Sequence, residues 1–157
     1  MSGKPVAAGS INAGGQKPSG FIHELGFEVR DYECDLQGIV NNAVYQHYLE
    51  HARHKFLLQS GVDFAALHER GLDLVVTRAE LDYKTSLKSR DCFTARLRLE
   101  RSGSLRFSFV QEIRRDSDSA LCAQAVITGV CLDHGRPVRI QDVPELNALQ
   151  LLSGLIK

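Results

Sequence analysis

Residues 30–53, RDYECDLQGIVNNAVYQHYLEHAR, hold the residue types most able to carry a reaction. Asp35 supplies a carboxylate, and Gly38 follows it by three positions. Asn41 and Asn42 then precede a helical pattern in which Val44, Tyr48, Leu49, Ala52 and Phe56 recur at intervals of three and four. Asn is a favoured N-cap because its side-chain oxygen accepts an orphan N–H of the first turn, so a helix starts near Asn41. An acid thus lies on a loop directly ahead of a helix N-terminus. That end carries about half a positive charge and unpaired N–H donors. The donors can hold a developing oxyanion while the carboxylate transfers a proton or attacks as a nucleophile. Asp and Gly also dominate ordinary turns, so the pair alone does not specify a reaction.

The neighbouring side chains admit plainer readings. Glu50 lies on the helix, either supporting the acid or pairing with Arg53 or His54 at the surface. Tyr45 reads as a packing residue with a satisfied hydroxyl. His47, His51 and His54 are spaced by four and three, a spacing that can hold zinc. No H-E-x-x-H accompanies them and the apolar stripe runs through the same turns, so no metal is expected. Cys34 adjoins Asp35 without a His placed beside it, and reads as a structural thiol. Cys92, Cys122 and Cys131 read as small apolar fillers of strands.

The elements that must position Asp35 follow from periodicity. Residues 21–33 read as a first strand and residues 64–70 as a short second helix, after Gly61 ends the long one. The period then changes to two. Strands are expected over residues 74–84, from Phe93 to Leu99, from Leu105 to Ile113, and over residues 120–132. Pro137 and Pro144 punctuate the exit, and residues 145–156 suit a last helix. Residues 1–20 hold Gly, Ser, Ala, Pro and Asn with few large apolar side chains, and are expected to be a flexible lead-in. Residues 21–157 then form one domain, α+β in class because the strands are segregated from the long helix.

Composition narrows the function. The 157 residues carry 19 Lys+Arg and 19 Asp+Glu, which argues against a nucleic-acid binder that must neutralise phosphates. The longest apolar run, residues 125–132, is far short of the roughly 20 residues that span a bilayer. No signal-peptide pattern and no C-x-x-C pair are present, so reduced thiols and a cytoplasmic location are expected.

The segment resembles the signature of the hotdog-fold thioesterases of the 4-hydroxybenzoyl-CoA thioesterase family. Asp35, Gly38, Ile39, Val40, Tyr45, Glu50 and Arg53 match that signature. The run Ile39-Val40-Asn41-Asn42-Ala43-Val44-Tyr45 is similar to the acyl-carrier-protein thioesterases of plant plastids and their bacterial relatives. The resemblance covers about residues 21–144. It implies an antiparallel five-stranded sheet wrapped around one long helix, and hydrolysis of an acyl thioester of coenzyme A or an acyl-carrier protein. It maps the catalytic carboxylate onto Asp35, the carbonyl-polarising N–H onto Asn42, and a supporting acid onto Glu50. Several bacterial acyl-CoA members carry His where this chain has Asn42, whose amide can orient water or cap the helix. Gly38, Ile39, Val40, Asn41, Tyr45, Ser86 and Lys88 are expected to contact substrate, the last two at the pantetheine or its phosphates. No cofactor, nucleic acid or membrane span is implied. A homodimer paired edge to edge is implied, pairing again into a homotetramer, with Val75, Val76, Leu81, Tyr83 and Phe109 as acyl-pocket candidates. The alternative is a hotdog domain that binds an acyl thioester without hydrolysing it.

Overall fold

The computed structural model describes residues 20–152. The expected flexible segment lies outside the described residues except for Gly20, as does the end of the C-terminal helix. The elements are β1 (His23–Glu28), α1 (Asn42–Gln59), α2 (Phe64–Glu69), β2 (Leu72–Tyr83), β3 (Cys92–Ser102), β4 (Arg106–Arg115), β5 (Leu121–Asp133), β6 (Arg136–Val138) and α3 (Pro144–Leu152). Among the described residues no helix is long and apolar enough to cross a membrane.

Helix α1 starts where its cap dictates. Asn41 is the N-cap and its side chain accepts from the Ala43 N–H at 2.9 Å. Gly61, at φ +85°, turns the chain out after Ser60. Tyr45, Tyr48, Leu49, Ala52, Phe56 and Leu57 are buried on one face. That face lies on the inner side of the sheet, where Phe93, Ala95 and Leu97 of β3 and Ile113 of β4 are fully buried. Aromatic rings knit the contact: Phe93 stacks on Phe27 at 5.0 Å and meets Tyr48 at 4.7 Å. Val44 of the expected stripe is only half-buried, one position off the axis of that face.

The sheet order is β1-β3-β4-β5-β2, all antiparallel. The five expected long strands are present, and a three-residue β6 adds to them. It pairs with the end of β5 beyond the reach of β4, after a tight turn in which His134 and Gly135 both have positive φ. Pro137, read from sequence as exit punctuation, sits inside β6, a place proline tolerates only in a peripheral strand. Strand β1 also stops five residues earlier than expected. Glu33 accepts from the Arg30 N–H at 2.8 Å and from its guanidinium at 2.7 and 3.1 Å. These local bonds close a 3-10 turn over Asp31–Glu33 and outcompete the ladder.

Strand β2 is the sheet's far edge. It pairs only with β5. Its middle is exposed on both faces, with Val75 at 40% and Val76 at 53%. A long unpaired edge of this kind is a template for pairing with another chain.

Candidate active site

The loop carrying Asp35 is built by short-range bonds. Cys34 and Val40 form an isolated antiparallel bridge. Inside it the Asp35 N–H donates to the Ile39 carbonyl at 2.8 Å and the Gly38 N–H to the Asp35 carbonyl at 3.0 Å. Gly38 has φ +76°, a value that strains any residue with a Cβ. One Asp35 oxygen, Oδ1, accepts from the Gln37 N–H at 2.8 Å. Its other oxygen has no partner among the described residues. The turn role and a chemical role are therefore compatible: one oxygen orients the carboxylate and the other is available.

Two bonds fix this loop, one to the β2–β3 connection and one between the start of α1 and the 3-10 turn. The Val40 N–H donates to the Leu87 carbonyl and the Asn41 N–H to the Glu33 carbonyl, each at 2.9 Å. Asn41 caps Ala43, and the Val44 N–H returns to the Asn41 carbonyl. Among the described residues the Asn42 N–H has no acceptor. It is thus an unpaired donor at the positive end of an 18-residue helix.

Asp35 and Asn42 open on one cleft of about 290 Å³, together with Gln37, Ile39, Val40, Tyr45, Tyr83, Lys84, Thr85 and Ser86. Tyr45 and Tyr83 form one wall, edge to face at 5.4 Å. The Tyr83 hydroxyl donates to the Asn42 carbonyl at 3.0 Å and so ties the end of β2 to the helix start. The Tyr45 hydroxyl accepts from the Leu87 N–H at 3.2 Å, and burial raises its pKa. It is a satisfied packing residue, as expected. Behind the loop, Glu33 is 7% exposed and also accepts from the Tyr48 hydroxyl at 2.6 Å. Burial is the largest single influence on its carboxyl and pushes the pKa up. The Tyr48 hydroxyl, the Arg30 N–H and the Arg30 guanidinium together outweigh it and leave the pKa below the usual value.

The structure therefore gathers Asp35, Ile39, Val40, Asn42, Tyr45 and Ser86 around one space. Gly38 shapes the loop, and Asn41 serves as the cap, leaving Asn42 free of that task. Lys88 is exposed and absent from the cleft lining; its backbone N–H bonds the Asp91 carboxylate at 2.9 Å. Glu50 is not brought to Asp35. It lies two turns down α1 in a second groove, 3.8 Å from His54. That groove, about 370 Å³, runs between α1 and β2 past Gln46, Glu50, Arg53, Val76 and Ala79. It leads to an apolar chamber of about 100 Å³ whose walls include Leu57, Phe64, Val75, Phe107 and Phe109. Val75, Val76 and Phe109 of the expected acyl pocket face this chamber, Tyr83 faces the Asp35 cleft, and Leu81 packs against the core.

A larger concavity, about 1020 Å³, lies elsewhere, between α1 and β1, and holds none of the residues expected to act. The three helix histidines do not converge. His51 meets Phe27 at 5.8 Å, His54 meets Phe64 at 4.9 Å, and His47 lines both the concavity and the groove.

Sequence reasoning missed Gln111. It is 1% exposed on β4, where its amide donates to the Leu49 carbonyl at 3.0 Å and accepts from Arg53 at 2.9 Å. The signal was present: it breaks the inward series Phe107, Phe109, Ile113 with a polar side chain. Glu33 and Gln37 were missed because they act through backbone turns that periodicity does not register.

The sequence profile described as the thioesterase-like superfamily matches residues 29–149. The chain is 35% identical over 138 residues to the acyl-acyl carrier protein thioesterase ATL3, chloroplastic, of Arabidopsis thaliana, covering 87% of this chain and 72% of that protein. It is 29% identical over 106 residues to the long-chain acyl-CoA thioesterase FadM of Escherichia coli, covering 68% and 80%. Among solved structures, the 1,4-dihydroxy-2-naphthoyl-CoA thioesterase Slr0204 of Synechocystis superposes with a TM-score of 0.73 over 80% of this chain and 93% of that one. At 18% identity that likeness speaks for the fold alone.

Proposed function

The chain belongs to the thioesterase-like superfamily and has its hotdog fold, and from that premise we propose that it hydrolyses an acyl thioester to a free acid and a thiol at the Asp35 cleft. The observation that carries this reading is the pairing of two unsatisfied groups on one cleft. The Asn42 N–H has no acceptor and one Asp35 oxygen has no donor among the described residues. A thioester carbonyl aimed at the N–H has its developing negative charge held by the helix end. A fixed donor of this type contributes about 2.7–4 kcal/mol to the transition state. Asp35 then takes a proton from the attacking water or attacks the carbonyl itself.

The acyl chain runs from that point along the α1–β2 groove toward the apolar chamber. The carrier arm leaves past Lys84, Thr85 and Ser86, with Lys88 further out for its phosphates. Coenzyme A and an acyl-carrier protein present the same arm, and relatives named for each are similar to this chain. The working unit is a homodimer joined through the exposed edge of β2, with two dimers forming a tetramer. Glu50 enters the reaction only in such an assembly, where a second chain closes the space between its groove and the Asp35 cleft.

The test is release of free thiol by the purified protein from a panel of acyl-CoA and acyl-carrier-protein thioesters. Saturable turnover of at least one supports hydrolysis. Tight binding with rates at the uncatalysed background for every member would point instead to the non-catalytic acyl-binding domain.

A further inference from the structure

Arg53 lines both the α1–β2 groove and its apolar chamber. Arg53 is half-buried, and burial lowers its pKa against the opposing pull of Glu50. Among the described residues no carboxylate lies within ion-pair distance of it, and its bond is to the neutral Gln111 amide at 2.9 Å. Gln111 is itself fully buried and anchored to the Leu49 carbonyl. The guanidinium is therefore held in place by a rigid neutral partner, with most of its five donors unused. Covering this cation with a bound chain is costly unless an acceptor meets it. Sliding a plain hydrocarbon chain past it removes water and supplies no acceptor.

We infer that Arg53, set by Gln111, is a specificity-determining residue that selects acyl chains carrying a neutral oxygen, a hydroxyl, where they pass the groove. This rests on the thioesterase reading. Glu50 lines the same groove beyond ion-pair distance of Arg53, so a carboxylate on the chain meets an anion across the groove, whereas a hydroxyl suffers no such repulsion. The position of the oxygen follows from the helix. Side chains lean toward the helix N-terminus, so the guanidinium sits near the level of Leu49. Seven residues separate Leu49 from Asn42, or about 10 Å at roughly 1.5 Å per residue. An extended chain gains about 1.2 Å per bond, so the hydroxyl falls about eight bonds from the thioester carbon.

The experiment compares kcat/KM for decanoyl-CoA, 3-hydroxydecanoyl-CoA, 8-hydroxydecanoyl-CoA and the mono-CoA thioester of octanedioic acid, in the full-length wild type and in Arg53→Met. The expected result is a preference of roughly tenfold or more for the distal hydroxyl over the plain chain in the wild type. The 3-hydroxy and ω-carboxy chains gain no such advantage. Arg53→Met abolishes the preference and speeds the plain chain. Equal wild-type rates for the plain and distally hydroxylated chains overturn the inference without touching the thioesterase reading. So does a preference that survives Arg53→Met. A variant that falls from dimer to monomer also overturns it, because Arg53 would then be serving a second copy of the chain. The wild-type comparison needs no variant and decides the matter if Arg53→Met fails to fold. Absence of hydrolysis across the whole panel would strike the underlying reading instead.

Discussion

Tyr48→Phe removes one hydroxyl, and the structure sets what that should cost. The hydroxyl donates at 2.6 Å to Glu33, with Tyr48 3% and Glu33 7% exposed, so water cannot readily replace it. Glu33 keeps its bonds from Arg30 but loses its donor from the core side. A hydrogen bond to a charged group contributes about 1.5–3 kcal/mol. For a chain of this size 1 kcal/mol moves the melting temperature by about 2–4 °C, so the variant should melt roughly 3–12 °C lower at pH 7. The pH dependence gives a second handle. The Glu33 pKa is lowered in the folded state, against an ordinary value of 4.5. Stability from this group is therefore fully present above that ordinary value and is lost as pH falls through the folded one. The Tyr48 hydroxyl is one of the groups that lower it, so the variant's deficit should be largest near neutrality and shrink in acid. Thermal unfolding followed by circular dichroism from pH 2.5 to pH 8 measures both. A melting temperature within 1 °C of wild type at pH 7, or a deficit that grows in acid, would refute the reasoning.

Three further perturbations follow. Gly38→Ala forces a left-handed φ of +76° on a residue with a Cβ, although nothing lies within 4 Å of that Cβ. The cost is backbone strain of about 1–2 kcal/mol, and kcat should fall with stability as the Asp35 loop shifts. Gly129→Ala places a Cβ 2.8 Å from the Phe107 ring and 2.9 Å from the Val75 carbonyl, so urea unfolding should show a loss of about 1–3 kcal/mol. Reversing charge at Lys84 and Lys88 should raise KM several-fold more than it lowers kcat. That effect should fade in 1 M salt, where the screening length is about 3 Å, and titrating KM against salt checks it.

What could be read from sequence divides by range. The ends of α1 were legible because Asn41 and Gly61 act on their own neighbours. The alternation of Phe93, Ala95, Leu97 and Leu99 marked β3 because a half-buried strand repeats every two residues. Asp35, Asn42, Tyr45 and Ser86 were placed at one site by family resemblance, and the fold brings them to one cleft. The early end of β1 was not legible, because it depends on Glu33 folding back on Arg30 rather than on periodicity. β6 was hidden because a proline in a three-residue strand looks like a terminator. The separation of Glu50 from Asp35 is a matter of three dimensions: both belong to one motif, yet the helix carries them to different grooves.

The central claim is that Asp35 performs the chemistry, and Asp35→Asn tests it most directly. The amide oxygen can still accept from the Gln37 N–H, so the loop and the melting temperature should be kept. Thiol release from the best substrate of the panel should fall by about 10²–10⁴-fold, the usual contribution of a positioned base, with KM little changed. A variant that folds and turns over within threefold of wild type would contradict the account.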